Sequence, residues 1–514
     1  MLAFIGRRIG TLVVILFGSS FILYNLTAIS GDPLEQLKFA TDERSKATLR
    51  ALTRQLDLET PPPLRYFKWL KGILGLFVGN PNFGLTRDGE PVLDRLAAAI
   101  PVTLRLVTAA TLTAIILGIT LGIITALRQY SRFDYVVTFF SFLMFSLPIF
   151  WVAVLLKEFL AIRFNDFLQN ATIPIGWLIL LSVLSAIFWT GILGGQRAAL
   201  IRNFAIVFTV TGSILTFISA TKWLLDPGLG PIVLFLFAIG IAYGMTAVSI
   251  GIENKSALKA SVSMAILTLI LYYPLQYIFD RYSSWLLLLL LLVLTVGTAA
   301  LFGKVFAKID QGPVIRTTIL TGIGCGLLII LDRLMQTWSG YIADDAVNGR
   351  PIPTIGQLDP LLTSTDFWVI TLDRAVHLIL PTVALTLISF AGYIRFSRGT
   401  LLEVLNQDYI RTARAKGLNE RTVIMRHAFR NTMIPLTTIV VVDLAGIIGG
   451  AIITERVFGW SGMGTLFNKA IGTYDLNLLM GVFFITASLS VLANLVADLL
   501  YAVLDPRIRV GARK

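Results

Sequence analysis

Runs of about 20 apolar residues dominate the chain, and a helix rising 1.5 Å per residue needs about that many to cross the hydrocarbon layer of a bilayer. By that criterion about twelve spans are predicted: 9–29, 102–127, 135–163, 174–195, 204–221, 231–252, 261–280, 285–303, 318–335, 378–394, 434–454 and 479–504. Stretches such as SWLLLLLLLVLTVG (residues 284–297) are apolar on every face, which excludes the period-2 alternation of a membrane barrel. The expected fold is therefore all-α, a polytopic transmembrane helical bundle. The 514 residues are 56% hydrophobic and only 14% charged, far more apolar surface than one soluble core buries.

Charge sets the expected orientation. Lys and Arg resist translocation, and with the N-terminus inside, the short inner segments hold more than half of the 43 Lys and Arg. Both termini are then cytoplasmic, and the net charge of +13 reflects topology. No folded basic surface offers a nucleic-acid site. The run at 9–29 is long and lacks a small-x-small exit, so it reads as a retained span rather than a cleaved leader. The loop at 30–101 is long enough to cross regardless of its charge and should fold against the outer face, with Pro61 to Pro63 interrupting any helix.

Chemistry-bearing patterns are sparse. Cys325 is the single cysteine, and His377 and His427 are too far apart for a histidine metal centre, so no metal, cofactor or catalytic residue is expected. GWSGMG (459–464) nearly makes a nucleophile elbow but carries Met463 where the second glycine belongs, and reads as a turn. A phosphate-cradling G-x-x-x-x-G-K-[ST] is absent from the sequence, so any energy from ATP must come through a partner.

The exception is DYIRTARAKGLNERTVIMRHAFRN (408–431), a dense basic stretch between two apolar runs. QDYIRTARAK should be helical and close at Gly417; LNERTVIMRHAF restarts with Asn419 as N-cap and Glu420 in the first turn. Two short helices with an elbow are predicted, the second presenting Val423, Ile424, Met425 and Phe429 as an apolar edge flanked by arginines. Such a knob suits a partner's groove. The spacing also fits a basic loop resting on anionic headgroups.

The order Arg411-Thr412-Ala413, three residues, then Gly417 resembles the E-A-A-x-x-x-G signature of permease subunits in binding-protein-dependent ABC importers. YIRTARAKGL and RHAFRNTMIP are similar to the oligopeptide, dipeptide and nickel branch of that family, the B-type subunit. So are FIGRRIGTLVVILFGSSFILYNLTAISGDP, TERVFGWSGMGTLFNKAI and LLYAVLDPRIR. Arg411 stands where the family has glutamate, and the I-x-L-P that ends the general signature falls on His427 to Arg430, with a proline only at Pro435.

The resemblance implies one half of a pore for oligopeptides or dipeptides in a bacterial or archaeal plasma membrane. Its partners would be a second permease subunit, cytoplasmic ABC ATPases that hydrolyse the ATP, and an extracytoplasmic solute-binding protein. It implies ATPase coupling through Arg411, Thr412, Ala413, Arg414, Gly417, Leu418 and Arg426, within coupling helices at 403–432, and binding-protein contact around Phe458, Trp460 and Gly462. An aromatic belt at the membrane interface is the other reading of Phe458 and Trp460. The alternatives are a non-peptide solute such as nickel, or a stand-alone secondary transporter, which should show an internal repeat that the sequence lacks.

The resemblance covers 1–165 and 340–514, and 166–339 has no counterpart in it. That block holds about six predicted spans, an even number that returns the chain to the same side. It reads as a lipid-facing appendage, structural or for assembly, with a regulatory or lipid-binding module as the alternative. Asp443, in mid-span, is the candidate for the solute pathway, where it would meet a cationic amine, or else is hydrogen-bonded to a neighbouring helix. Gly446, Gly449 and Gly450 beside it suit close helix packing. Lys157 and Glu158 are expected to snorkel at a helix end.

Overall fold

The computed structural model describes residues 2–38, 42–307 and 311–504; the side chains at 2–5, 9, 36, 37, 421, 426, 434, 442, 444–450 and 497–504 are not among those described. The chain is helical, with one isolated bridge, Leu85 to Pro91, among the described residues. Among the described residues ten helices are long and apolar enough to cross a membrane, and a bent pair, Arg132–Ser146 with Ile149–Leu168, makes an eleventh if it counts as one span. The expected span at 434–454 falls mostly on the Phe429–Gly450 helix, most of whose second half lies outside the described side chains.

The chain divides into two compact units. The first comprises Met1–Leu160, Thr354–Gln357 and Leu378–Lys514. Its central pairing sets the Val92–Leu127 helix against the later part of Phe367–Leu405. Ala110, Ala114, Gly118 and Gly122 recur every four residues and so form one stripe, where small side chains let two backbones approach. A Cβ on Gly118 or Gly122 would collide with Tyr393 or Ser397 of the facing helix. Thr386 and Ser397 donate to the carbonyls of Ala110 (3.2 Å) and Gly118 (3.4 Å), so both hydroxyls are satisfied without water.

The 30–101 segment folds onto this unit. Pro61 to Pro63 do not break a helix here but start one: Pro61 is the N-cap of Pro62–Leu74, where a missing N–H costs nothing. That helix inserts Tyr66, Trp69 and Ile73 into a core with Tyr24, Phe83, Leu96, Met463 and Met480. Tyr66 shares a hydrogen bond with Ser20 at 2.8 Å. The next helix begins at Val92 rather than near 102, carries Pro101 within it, and is capped by Pro91. Asp475 ties the segment down by accepting from Arg87 N at 2.7 Å, and Lys469 pairs with Asp88 at 2.8 Å.

The second unit comprises Ala161–Pro353 and Leu358–His377. Two helices, Ile175–Leu193 and Arg197–Thr221, form a hairpin, and four more, Gly230–Ser249, Lys255–Arg281, Trp285–Phe306 and Gln311–Ala343, pack through small residues such as Ala238, Ala242, Ala265 and Cys325. Asp332, fully buried, is the polar node of this bundle. It accepts from Leu229 N (2.8 Å), Gly230 N (3.3 Å), Tyr272 Oη (2.7 Å) and Gln336 Nε2 (2.7 Å), so it caps the start of one helix from within another. Burial of a carboxylate is tolerable there because its oxygens are saturated with donors.

Candidate functional site

The 408–431 stretch is built from local chemistry outward. The Asp408–Ala415 helix ends as Lys416 N and Gly417 N donate to Thr412 O (3.0 Å) and Arg414 O (2.9 Å). Gly417 follows with φ +75°, the left-handed conformation that a residue without Cβ adopts freely. Asn419 then caps the next helix by accepting from Thr422 N at 2.8 Å. Arg414 grips Glu420 across the elbow with two hydrogen bonds, 3.1 and 2.6 Å. Their pairing pulls the Glu420 carboxyl below the usual range and the Arg414 guanidinium above it.

The second helix differs from the expectation of a short, separate element. Glu420–Thr422 passes through a π-helical stretch, Val423–Ala428, straight into the long Phe429–Gly450 helix. No breaker stands between them, and Pro435 is accommodated inside. The expected apolar edge is also divided. Val423 and Ala428 turn inward onto Ile410, Ala413, Leu401 and Ala126, while Met425 stays 40% exposed.

The candidate coupling residues accordingly play different parts. Ala413 is buried and seats the first helix; Arg411, Thr412, Arg414 and Leu418 are exposed at the surface around Gly417. The side chain of Arg426 lies outside the described residues. The structure brings Tyr409, Leu418 and Met425 to one exposed stretch of chain among Arg411, Lys416 and Arg430, and Tyr409 Oη accepts from Asn431 at 2.9 Å. Tyr409 carries no sequence signal that would single it out.

Asp443 is half-buried on the Phe429–Gly450 helix. The buried Tyr393 hydroxyl lies beside it but without a hydrogen bond of good geometry. Gly446, Gly449 and Gly450 lie outside the described residues.

The 454–471 segment departs most from expectation. Phe458 and Trp460 are 2% and 4% exposed, so neither forms a contact surface nor a membrane-interface belt; both are packing residues. Gly459 turns the chain with φ +66°, and a Cβ on Gly462 would collide with Glu455 and Thr103. The turn reading of GWSGMG therefore describes the geometry, while Gly462 serves close packing inside it. Lys157 does not snorkel: its ammonium sits 5.2 Å from the Phe458 ring centre and donates to Val457 O.

Sequence reasoning missed the residue that organises this turn. Glu455, fully buried, accepts from Thr103 Oγ1 at 2.6 Å, from Thr465 N at 2.9 Å and from Thr465 Oγ1 at 3.4 Å. Met463 N in turn donates to Thr103 Oγ1 at 2.8 Å. Burial pushes the Glu455 carboxyl up, and these donors hold it back. No group of three His, Cys, Asp or Glu able to hold a metal ion occurs among the described residues.

A helical membrane chain with this basic elbow can be compared with known families, and residues 193–510 match the model of binding-protein-dependent transport system inner membrane components. The chain belongs to that family. Family membership makes it a transport component with several membrane-spanning helices. Its match to the oligopeptide transport system permease protein OppB of Mycobacterium tuberculosis is 38% identical over 184 residues, 36% of this chain and 54% of that protein. AppB, the oligopeptide transport system permease protein of Bacillus subtilis, is 36% identical over 233 residues, 44% of this chain and 69% of that protein. The dipeptide transport system permease protein DppB of Escherichia coli is 43% identical over 138 residues, 27% of this chain and 41% of that protein. The chain thus spans about half the length of the M. tuberculosis relative.

Proposed function

We propose that this chain forms half of the pore of an ABC importer for oligopeptides or dipeptides, with a second permease subunit, separate ATPases on the cytoplasmic side and a solute-binding protein outside. The observation that carries the reading is the Gly417 elbow: Tyr409, Leu418 and Met425 are exposed along a stretch rich in arginine, and its first helix is locked to the bundle through Ile410 and Ala413. An apolar tip with a charged rim is the chemistry of a docking surface, whereas a loop lying on headgroups needs no such rigid seat. The names of the relatives support a peptide as the solute. In this reading both termini and the elbow are cytoplasmic.

The helix running from the elbow into Phe429–Gly450 carries Asp443, so the elbow and Asp443 lie on one continuous helical element. Asp443 is the residue we assign to the solute pathway, as an acceptor for a peptide's amino group. The segment 454–471 is assigned to the binding-protein side, with Phe458, Trp460 and Gly462 shaping that face from beneath.

A photo-crosslinking amino acid at Leu418 in the full chain tests the reading. It should capture an ATPase subunit from native membranes, whereas capture of lipid alone would mean that the elbow only rests on headgroups.

Residues 166–339 we read as an appendage to a core formed by 1–165 and 340–514. Support comes from the self-contained node at Asp332 within the block, although 340–353 and 358–377, counted here with the core, pack in the same compact unit as the block. Deleting 166–339 and joining the ends with a short polar linker should preserve assembly and uptake. A shortened chain that assembles but transports nothing would make the block part of the pathway.

A further inference from the structure

A cavity of about 280 Å³ lies between the Arg132–Ser146 helix and the Phe367–Leu405 helix, lined in part by Thr138, Ser141, Phe142, Phe145, Arg395 and Arg398. Its polar groups are satisfied with one exception. Ser141 Oγ donates to Ala391 O at 3.3 Å. Arg398 is clamped by Asp134 through Nε and Nη2, both at 3.0 Å, and Asp134 also accepts from Tyr130 N (3.0 Å) and Thr138 Oγ1 (3.3 Å). That pair is neutral and fixes one wall.

Arg395 is the exception. Its guanidinium lies 5.2 Å from the centre of the Phe145 ring, and no carboxylate pairs with it among the described residues. Arg395 is exposed and lies one residue beyond the expected span at 378–394, where an arginine can meet headgroup phosphates. The ring faces one side of the guanidinium plane but takes none of its five N–H donors, which leaves them open to an oxyanion. The approach is apolar: Phe142 and Phe145, which line the cavity, are 56% and 55% exposed. A ligand that fits must bring a negative oxygen group and a hydrocarbon chain together.

We infer that this cavity binds an anionic phospholipid, its phosphate on Arg395 and an acyl chain along Phe142 and Phe145. A soluble solute with a carboxylate matches the charge but not the surrounding aromatic surface, which matches lipid tails. Basic pockets between transmembrane helices recur as sites for such headgroups. The position gives the site a regulatory reach. Leu401, about 9 Å further along the same helix, packs with Ile410, Ala413 and Val423 of the elbow. Lipid that fixes this stretch of helix also stiffens the seat of the elbow.

The test uses the full chain in nanodiscs of phosphatidylcholine with added phosphatidylglycerol, and reads retained lipid by native mass spectrometry. Arg395→Gln should lower phosphatidylglycerol retention about fivefold and leave phosphatidylcholine unchanged, as expected for loss of one cation near the surface. Gly399 lines the same cavity and has open space where a side chain would start, so Gly399→Leu should exclude the lipid while keeping the charge. A measurement that needs no variant is protection of Arg395 from phenylglyoxal by phosphatidylglycerol. Equal retention in wild type and both variants, or no protection, would overturn the inference. Retention of a peptide with a free carboxylate over its amide, without preference for phosphatidylglycerol, would overturn it too and assign the cavity to the solute.

Discussion

Gly417→Pro should abolish solute-stimulated ATP hydrolysis in the assembled importer while the chain still inserts and folds. Gly417 has φ +75°, and proline fixes φ near −65°, so the elbow cannot form as it stands. Proline also removes the N–H that donates to Arg414 O at 2.9 Å. The local cost is about 3 kcal/mol or more, enough to swing the Asp408–Ala415 helix away from Glu420 and displace Leu418. Insertion is spared because the elbow lies outside the spans, in solvent, with no atom within 4 Å of a Cβ placed there. Gly417→Ala supplies the graded control: an alanine in the left-handed region costs about 1–2 kcal/mol, so partial coupling should survive. Normal coupled turnover in the proline variant would remove the elbow from the mechanism.

The second large effect is expected at Glu455. Glu455→Leu leaves Thr103 Oγ1 and Thr465 N without their acceptor, and each orphaned donor costs about 1–3 kcal/mol. The turn at 459–464 should lose its anchor to the Val92–Leu127 helix, and with it the burial of Trp460 and Met463. Thermal unfolding of the purified chain in detergent should shift down by many degrees, with new proteolytic cleavage near Gly462. Thr103→Val should give a smaller loss, since Thr465 N and Oγ1 keep Glu455. A melting temperature that Glu455→Leu leaves unchanged would show that the buried carboxylate does not hold the turn.

Gly464 bears on the same point. A Cβ there would lie 2.7 Å from Ile452 Cα, backbone against backbone, so its glycine has a steric cause that no turn rule supplies. Read from sequence, the glycines of GWSGMG announce only that the chain bends. Which of them are filled by Glu455 and which simply turn the backbone depends on contacts 352 residues apart, such as that between Thr103 and Glu455. The same limit explains Phe458 and Trp460. An aromatic in a membrane protein looks the same in sequence whether it meets lipid, a partner or a core, and here Lys157, from a distant helix, closes over Phe458.

What was legible is local or set by the bilayer. Apolar runs such as 285–303 must be helices because no other structure satisfies its own backbone in lipid. Gly417 and Asn419 announce the elbow because their own side chains, or the lack of one, determine the backbone there. The boundary of the second helix was not legible: proline at Pro435 looks like a stop, yet within a packed span its lost hydrogen bond is tolerated and the helix runs on. Nor were Asp332, whose donors come mostly from other helices, and the Asp134–Arg398 pair, whose partners lie 264 residues apart.

The most direct test of the central claim is the energy source of uptake. The full chain, purified from native membranes with whatever remains bound, is reconstituted into liposomes with the solute-binding protein, and peptide uptake is followed with ATP inside or outside, or with an ion gradient alone. The account predicts a co-purifying ATPase and uptake that requires ATP on the elbow's side and the binding protein on the other. Uptake driven by a proton or sodium gradient, with no ATPase bound and no need for ATP, would contradict it.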